Sequence, residues 1–163
     1  KKEYRAFVLD GDNIRHGLSC DLDFSVDDQS ENLRRIGEVT KLFFDSGSIV
    51  LVSVISPFIK DREKVRKLIN GDKFYEIYVN CPIDVCERRD TKGLYKLARS
   101  GKIKNLIGLD SPYEAPTKPE LTINTKQLTL NKSVNKVMTF LKEKKILISQ
   151  LSNAVLLHIV GRI

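Results

Sequence analysis

Residues 49–55, with the sequence Ile-Val-Leu-Val-Ser-Val-Ile, are the stretch that decides the fold class. The run is almost entirely apolar and rich in β-branched residues, which is typical of a central parallel strand covered by helices on both faces. Three other segments also have the composition of strands: 6–9, 74–80 and 121–124.

Segments with helical spacing of apolar residues separate these strands. Ser25 begins a capping box, and the helix that follows is predicted to end at Gly47. Shorter helices are predicted over 61–69, 81–89, 94–99 and 130–141. Alternation of strands and helices predicts an α/β fold, a doubly wound parallel sheet with helices on both faces.

The length of 163 residues suits one domain, which we place at residues 1–145. The tail, 146–163, has apolar residues at helical spacing and no obvious place in that architecture. We expect it to dock on the sheet, to pair with another chain, or to be disordered.

The charge and composition of the chain argue against a nucleic-acid-binding protein and against a membrane protein. The net charge of +7 is uneven, because residues 1–40 carry 6 basic and 9 acidic side chains and the rest of the chain is strongly basic. This pattern favours a small anionic ligand with a metal over nucleic acid, and no stretch is apolar enough to predict a membrane span. Three cysteines without zinc-site spacing predict an intracellular protein, cytoplasmic or plastid.

Asp10-Gly11-Asp12 follows the first predicted strand, and strand ends are where α/β proteins place their chemistry. Two carboxylates there could bind magnesium and accept a proton from an attacking hydroxyl. Taken alone, such a triplet is more often an ordinary turn than a metal site.

A series of motifs favours the magnesium-binding interpretation of Asp10-Gly11-Asp12 over the simple turn. They occur in a fixed order: D-G-D-N-x-R from Asp10, E-N-L-R-R from Glu31, I-S-P-F from Ile55, K-G-L-Y-K from Lys92 and P-Y-E-A-P from Pro112. Over residues 5–145 the chain closely resembles the adenylylsulfate kinases, which phosphorylate the 3′-hydroxyl of adenylyl sulfate with ATP and Mg²⁺ to give PAPS. The resemblance implies a P-loop-kinase-like fold.

The resemblance also implies roles for individual residues. Asp12 would lie beside magnesium and the substrate hydroxyl, with Asp10 supporting it. Arg15 would bind the phosphosulfate, Phe24 would stack on the substrate adenine, and Asn32 would contact the nucleotide. Alternatively, Arg15 is a surface arginine and Phe24 a core aromatic.

Further implied site residues lie later in the chain. Ile55 and Ser56 would line the substrate site. Ser56, which is phosphorylated in some family members, would also be a catalytic residue together with Asp12 and Asp10. Arg88 would lie beside the ATP adenine. A lid and an apolar contact to the substrate adenine would come from Lys92, Gly93, Leu94 and Leu106.

The sequence departs from the family pattern at one major point. Family members carry a G-x-x-x-x-G-K-[ST] P-loop before the first strand seen here, and these 163 residues contain none. We therefore expect a fragment that lacks the first strand-loop-helix unit, and with it the central strand of the sheet. Gln29 replaces a frequent arginine, Asp23 replaces a glycine, and Leu106 stands where a second aromatic is common.

The sequence is compatible with two functions. One is an adenylylsulfate kinase, acting on adenylyl sulfate and ATP, as a homodimer or with a fused or associated ATP sulfurylase. The other is a catalytically inactive truncated relative that at most binds adenylyl sulfate.

Overall fold

Parallel strands form a single sheet in the computed structural model, which describes residues 4–69, 71–147 and 155–161. The strands are β1 (Ala6–Asp10), β2 (Ile49–Ser53), β3 (Phe74–Asn80), β4 (Leu121–Asn124) and β5 (Val155–Gly161). Their spatial order is β1-β2-β5-β3-β4, and each neighbouring pair is parallel. The predicted parallel α/β sheet is confirmed.

Helices connect the strands, as the apolar spacing predicts. They are α1 (Gly11–His16), α2 (Val26–Asp45), α3 (Ile59–Leu68), α4 (Ile83–Arg89), α5 (Leu94–Arg99) and α6 (Leu130–Glu143). Ser25 caps α2 as predicted, because its hydroxyl accepts a hydrogen bond from the Asp28 amide at 3.1 Å. Gly47 follows the end of α2 with φ of 84°, a conformation that suits glycine. In the described residues, no helix is long and apolar enough to cross a membrane.

The sheet buries apolar side chains on both faces. On one face, Val50 and Leu156 pack with Ile36 of α2 and Val65 of α3. On the other face, residues including Ile77 and Leu157 pack with Phe140 and Leu141 of α6. Alternate residues of each central strand therefore enter opposite cores, which explains why these strands are apolar almost throughout.

Part of the tail lies in the sheet as a strand, although the spacing of its apolar residues also suits a helix. Residues 155–161 form β5, which lies between β2 and β3 in the middle of the sheet. The expectation of a sheet without a central strand is wrong for the same reason. Leu156, Leu157 and Val160 are fully buried in this position.

The carboxyl end of β5 approaches β3 closely at Gly161. A Cβ atom at Gly161 would lie 2.5 Å from the carbonyl oxygen of Val79. A side-chain carbon cannot lie so close to a backbone oxygen. Glycine is therefore required for the carboxyl end of β5 to pair with β3 at this point.

Candidate active site

The carboxyl end of β1 presents the two predicted carboxylates. The Asp10 side chain caps α1 by accepting hydrogen bonds from the amides of Asp12 and Asn13, at 3.1 and 3.3 Å. Asp12 therefore lies in the first turn of a helix with an exposed carboxylate, 69% accessible. Residues 10–12 therefore do not form the simple turn that the sequence also allowed. They begin a helix, and Asp10 supports Asp12 by capping that helix.

Lys92 joins the segment between α4 and α5 to this carboxylate. Its ammonium group forms a short ion pair with Asp12, although the two residues are far apart in sequence. Gly93 follows with φ of 71°, and Leu94 begins α5. Two of the predicted site segments thus meet at one edge of the sheet.

Arg15 and Phe24 also meet. The Arg15 guanidinium lies 4.4 Å from the centre of the Phe24 ring and donates to the carbonyls of Leu22 and Asp23, at 3.3 and 3.1 Å. Phe24 is 53% exposed, so it is not a core aromatic, and Arg15 is not a free surface arginine. The pair forms a cation–π contact, and about half of the Phe24 surface remains exposed to solvent.

The start of α2 supports this loop. Gln29 is buried, and its side-chain amide donates to the Phe24 carbonyl at 2.8 Å. The residue that stands for a family arginine therefore fixes the Phe24 backbone. The buried oxygen Oδ1 of Asn32, one helical turn later, has no hydrogen-bond partner in the described parts of the chain.

Ser56 lies just beyond the carboxyl end of β2 in a left-handed conformation with φ of 46°. Its Oγ lies 2.8 Å from Nε2 of His158, and its carbonyl accepts a hydrogen bond from Arg62 at 2.6 Å. The preceding residue, Ile55, is half-buried. Positive φ in a serine indicates backbone strain, which is common at functional sites.

Beside Ser56 lies a buried polar cluster that the sequence did not predict, formed by Ser56, Arg62, Glu76 and His158. The Arg62 guanidinium pairs with the Glu76 carboxylate at 2.6 Å, and both side chains are more than nine-tenths buried. Burial raises the pKa of Glu76, while Arg62 and Arg66 act in the opposite direction. Polar residues inside apolar strand segments, such as Glu76 and His158, were the signal that could have revealed the cluster.

The P-Y-E-A-P segment closes over this region. The Glu114 carboxylate accepts from the Ile59 amide at 2.7 Å, and the Glu114 carbonyl accepts from Arg62 at 2.8 Å. The Glu114 amide in turn donates to the Pro57 carbonyl at 2.9 Å. The two predicted motifs I-S-P-F and P-Y-E-A-P are therefore in direct contact.

Two predicted site residues make contacts elsewhere. Arg88 is exposed and pairs with Asp84 on its own helix at 3.0 Å. Leu106 packs on a small core that includes Cys81 and Tyr95, between α4 and α5. In this structure Leu106 and Phe24 thus make separate contacts.

Comparison with known proteins agrees with the motif order. A sequence model of the adenylylsulphate kinase family matches residues 1–124. The chain belongs to the adenylylsulfate kinase family. The adenylyl-sulfate kinase of Clostridium acetobutylicum is 54% identical over 144 residues, which are 88% of this chain and 72% of that protein.

Solved adenylylsulfate kinase structures share the fold. The Mycobacterium tuberculosis APS kinase CysC, in complex with AMPPNP and APS, superposes with a TM-score of 0.80 and 43% identity, over 85% of this chain and 81% of that one. A hexameric APS kinase from Thiobacillus denitrificans superposes with a TM-score of 0.62 and 27% identity, over 86% of this chain and 23% of that one. The adenylylsulfate kinase fold is P-loop-kinase-like, and the family consists of ATP-dependent phosphotransferases.

Proposed function

We propose that this chain phosphorylates the 3′-hydroxyl of adenylyl sulfate, with ATP as donor, to form PAPS. The observation that carries the proposal is the convergence of Asp12, Ser56 and Lys92, from three separate motifs, on the carboxyl edge of one parallel sheet. Ligands of open α/β sheets bind at this edge.

The loop before α2 and the first turns of that helix would bind the substrate. The exposed face of Phe24 would stack on the adenine, and the unpartnered Asn32 oxygen would accept a hydrogen bond from the nucleotide. Arg15 would turn from the loop carbonyls to the phosphosulfate, since a guanidinium binds an oxyanion more strongly than a neutral carbonyl.

The segment Lys92, Gly93 and Leu94 would act as the lid. The Lys92–Asp12 ion pair is half exposed, so it contributes little stability and can be exchanged for other partners. When Lys92 turns to a phosphate group, the Asp12 carboxylate becomes free to accept the proton of the 3′-hydroxyl. Ile55 and Ser56 would line the opposite wall.

Magnesium suits the accessible carboxylate of Asp12, because this ion is typically held by one or two carboxylates together with substrate phosphates and water. In the described residues, no group of three or more acidic, histidine or cysteine side chains is gathered for a metal. The ion would neutralise charge on the transferred phosphoryl group.

ATP binding has support from the AMPPNP-bound relative, and we propose that Arg88 of this chain lies beside the ATP adenine. Its exposed side chain could leave Asp84 at little cost. The second candidate is a relative that binds adenylyl sulfate without turnover, and a measurement of both binding and turnover distinguishes it from the kinase.

The decisive experiment measures both activities on the full chain. Calorimetry gives the affinity for adenylyl sulfate, and transfer of radioactive phosphate from ATP gives turnover. We predict that Asp12→Asn lowers turnover by about a hundredfold or more, the usual contribution of a positioned acid–base group. The matched control is Asp72→Asn, at an exposed position before β3.

Each outcome has a meaning. Turnover that is lost in Asp12→Asn supports the kinase. Binding without turnover in the parent chain supports the inactive relative. Absence of both refutes the proposed site.

We further propose that the chain assembles with a second copy of itself, or with a fused or associated ATP sulfurylase. The hexameric relative supports assembly. Three apolar residues exposed on one side of α6 offer a surface for it: Leu130, Val134 and Met138. Light scattering on the purified chain would test self-association.

A further inference from the structure

The contact between His158 and Ser56 links the central strand of the sheet to the proposed substrate site. His158 lies in β5 opposite Val52 of β2 and Glu76 of β3, and its side chain is completely buried. Its Nε2 atom lies 2.8 Å from the Ser56 hydroxyl. Because Ser56 follows the end of β2, the imidazole reaches the site from inside the core.

The surroundings keep the ring neutral. Burial lowers the pKa of His158 to about 3, and the positive charges of Arg62 and Arg66 act in the same direction. The edge of the ring packs against Phe74, with ring centres 5.5 Å apart, so its orientation is fixed. A neutral imidazole has one donor nitrogen and one acceptor nitrogen.

The second nitrogen indicates which of the two carries the proton. In the described residues, Nδ1 of His158 is buried and has no hydrogen-bond partner. Buried N–H groups without an acceptor are rarer than buried acceptors without a donor. This favours a proton on Nε2, which would then donate to Ser56 Oγ and leave Nδ1 as a bare acceptor.

We propose that His158 is a positioning residue that, by donating from Nε2 to Ser56 Oγ, directs the Ser56 hydroxyl hydrogen toward an anionic oxygen of bound adenylyl sulfate. The inference rests on the proposed function, because it takes Ser56 as a substrate-binding residue. The Ser56 carbonyl is held by Arg62 and its oxygen by His158. With the carbonyl and the hydroxyl oxygen held in this way, the hydroxyl hydrogen is left to point toward a ligand.

Nuclear magnetic resonance of the ¹⁵N-histidine-labelled chain tests the tautomer directly. The sequence has two histidines, and His16 is exposed, so His16→Gln assigns both sets of signals. We expect Nε2 of His158 in the protonated range and Nδ1 in the unprotonated range, with a change at Nε2 in Ser56→Ala. Protonation at Nδ1 instead would overturn the proposal, and this test needs no folded variant of His158.

Affinity for adenylyl sulfate tests the effect on the ligand. We expect Ser56→Ala to weaken binding about tenfold, as for a hydrogen bond to a charged group, and His158→Phe to weaken it about threefold or more. His158→Gln, whose amide nitrogen can replace Nε2 as donor, should restore most of the affinity.

A double variant separates positioning from general stability. If His158 acts through Ser56, His158→Phe has no further effect on affinity in the Ser56→Ala background. An equal loss in both backgrounds would reveal a structural role and overturn the proposal. If the parent chain does not bind adenylyl sulfate, the proposed function fails instead, and the tautomer of His158 remains measurable.

Discussion

His158 differs from most histidines in that its surroundings exclude the charged form. The folded ring has a pKa of about 3, and the ordinary value of 6.5 applies to the unfolded chain. The unfolded state therefore binds a proton below pH 6.5 that the folded state refuses until near pH 3. Folding stability from this residue is complete above pH 6.5 and is lost as the pH falls through this window.

We predict a measurable slope. Between pH 6.5 and pH 5, the free energy of unfolding should fall by about 1 kcal/mol per pH unit because of His158. In His158→Phe this part of the slope should vanish, whereas His16→Gln should keep it. Denaturant titrations at several pH values measure the difference in slope between the parent and His158→Phe. Glu76 contributes a slope of the opposite sign, which largely cancels in this difference because both proteins contain Glu76. Parallel pH profiles for the parent and His158→Phe would contradict the prediction.

At the scale of the element, β5 shows where sequence reasoning stops. Residues 49–53 and 155–161 are both buried on two faces, and neither has the alternation that identifies a half-exposed strand. The first was recognised because turn residues follow it. The second has apolar spacing that also suits a helix, because a short apolar run of this kind fits either structure.

Gly161 provides a test of how β5 is seated. We predict that Gly161→Ala lowers the free energy of unfolding by about 2 kcal/mol, since its Cβ would meet the Val79 carbonyl at 2.5 Å. The control is Gly37→Ala in α2, where the added methyl meets only side-chain atoms, of Val65 at 3.2 Å and of Leu68 at 3.5 Å, and gains helix propensity. Thermal unfolding of the two variants should differ clearly. Equal transitions would mean that β5 is not seated against β3 at this point.

Across the whole molecule, the sequence motifs indicated which candidate site residues lie together, whereas the strand pattern did not indicate the centre of the core. Asp12, Arg15 and Phe24 could be found from the sequence because they stand close together in one ordered series. The pairing of Ser56 with His158 spans 102 positions and depends on where β5 enters the sheet. Such contacts follow from topology, which local patterns do not encode.

The boundary predicted at residue 145 can be tested by truncation. We expect a chain that ends at residue 147 to lose cooperative unfolding, because β5 supplies the pairing partner of both β2 and β3. Its removal also takes Leu156 from one core and Leu157 from the other. Circular dichroism and denaturant melts measure the loss, and removal of residues 162–163 alone is the control. A cooperative transition in the shorter chain would show that residues 1–147 fold without β5.

The central position of β5 also sets the order of events during biosynthesis. The ribosome makes β5 after the other four strands, so β2 and β3 leave the exit tunnel before the strand that joins them exists. Until then, both present unpaired edges and apolar faces, the features that recruit chaperones and promote aggregation. The long sequence separation of Ile49 and Val155 further slows closure of the sheet. Yield of folded protein in cells should therefore depend on translation reaching residue 161.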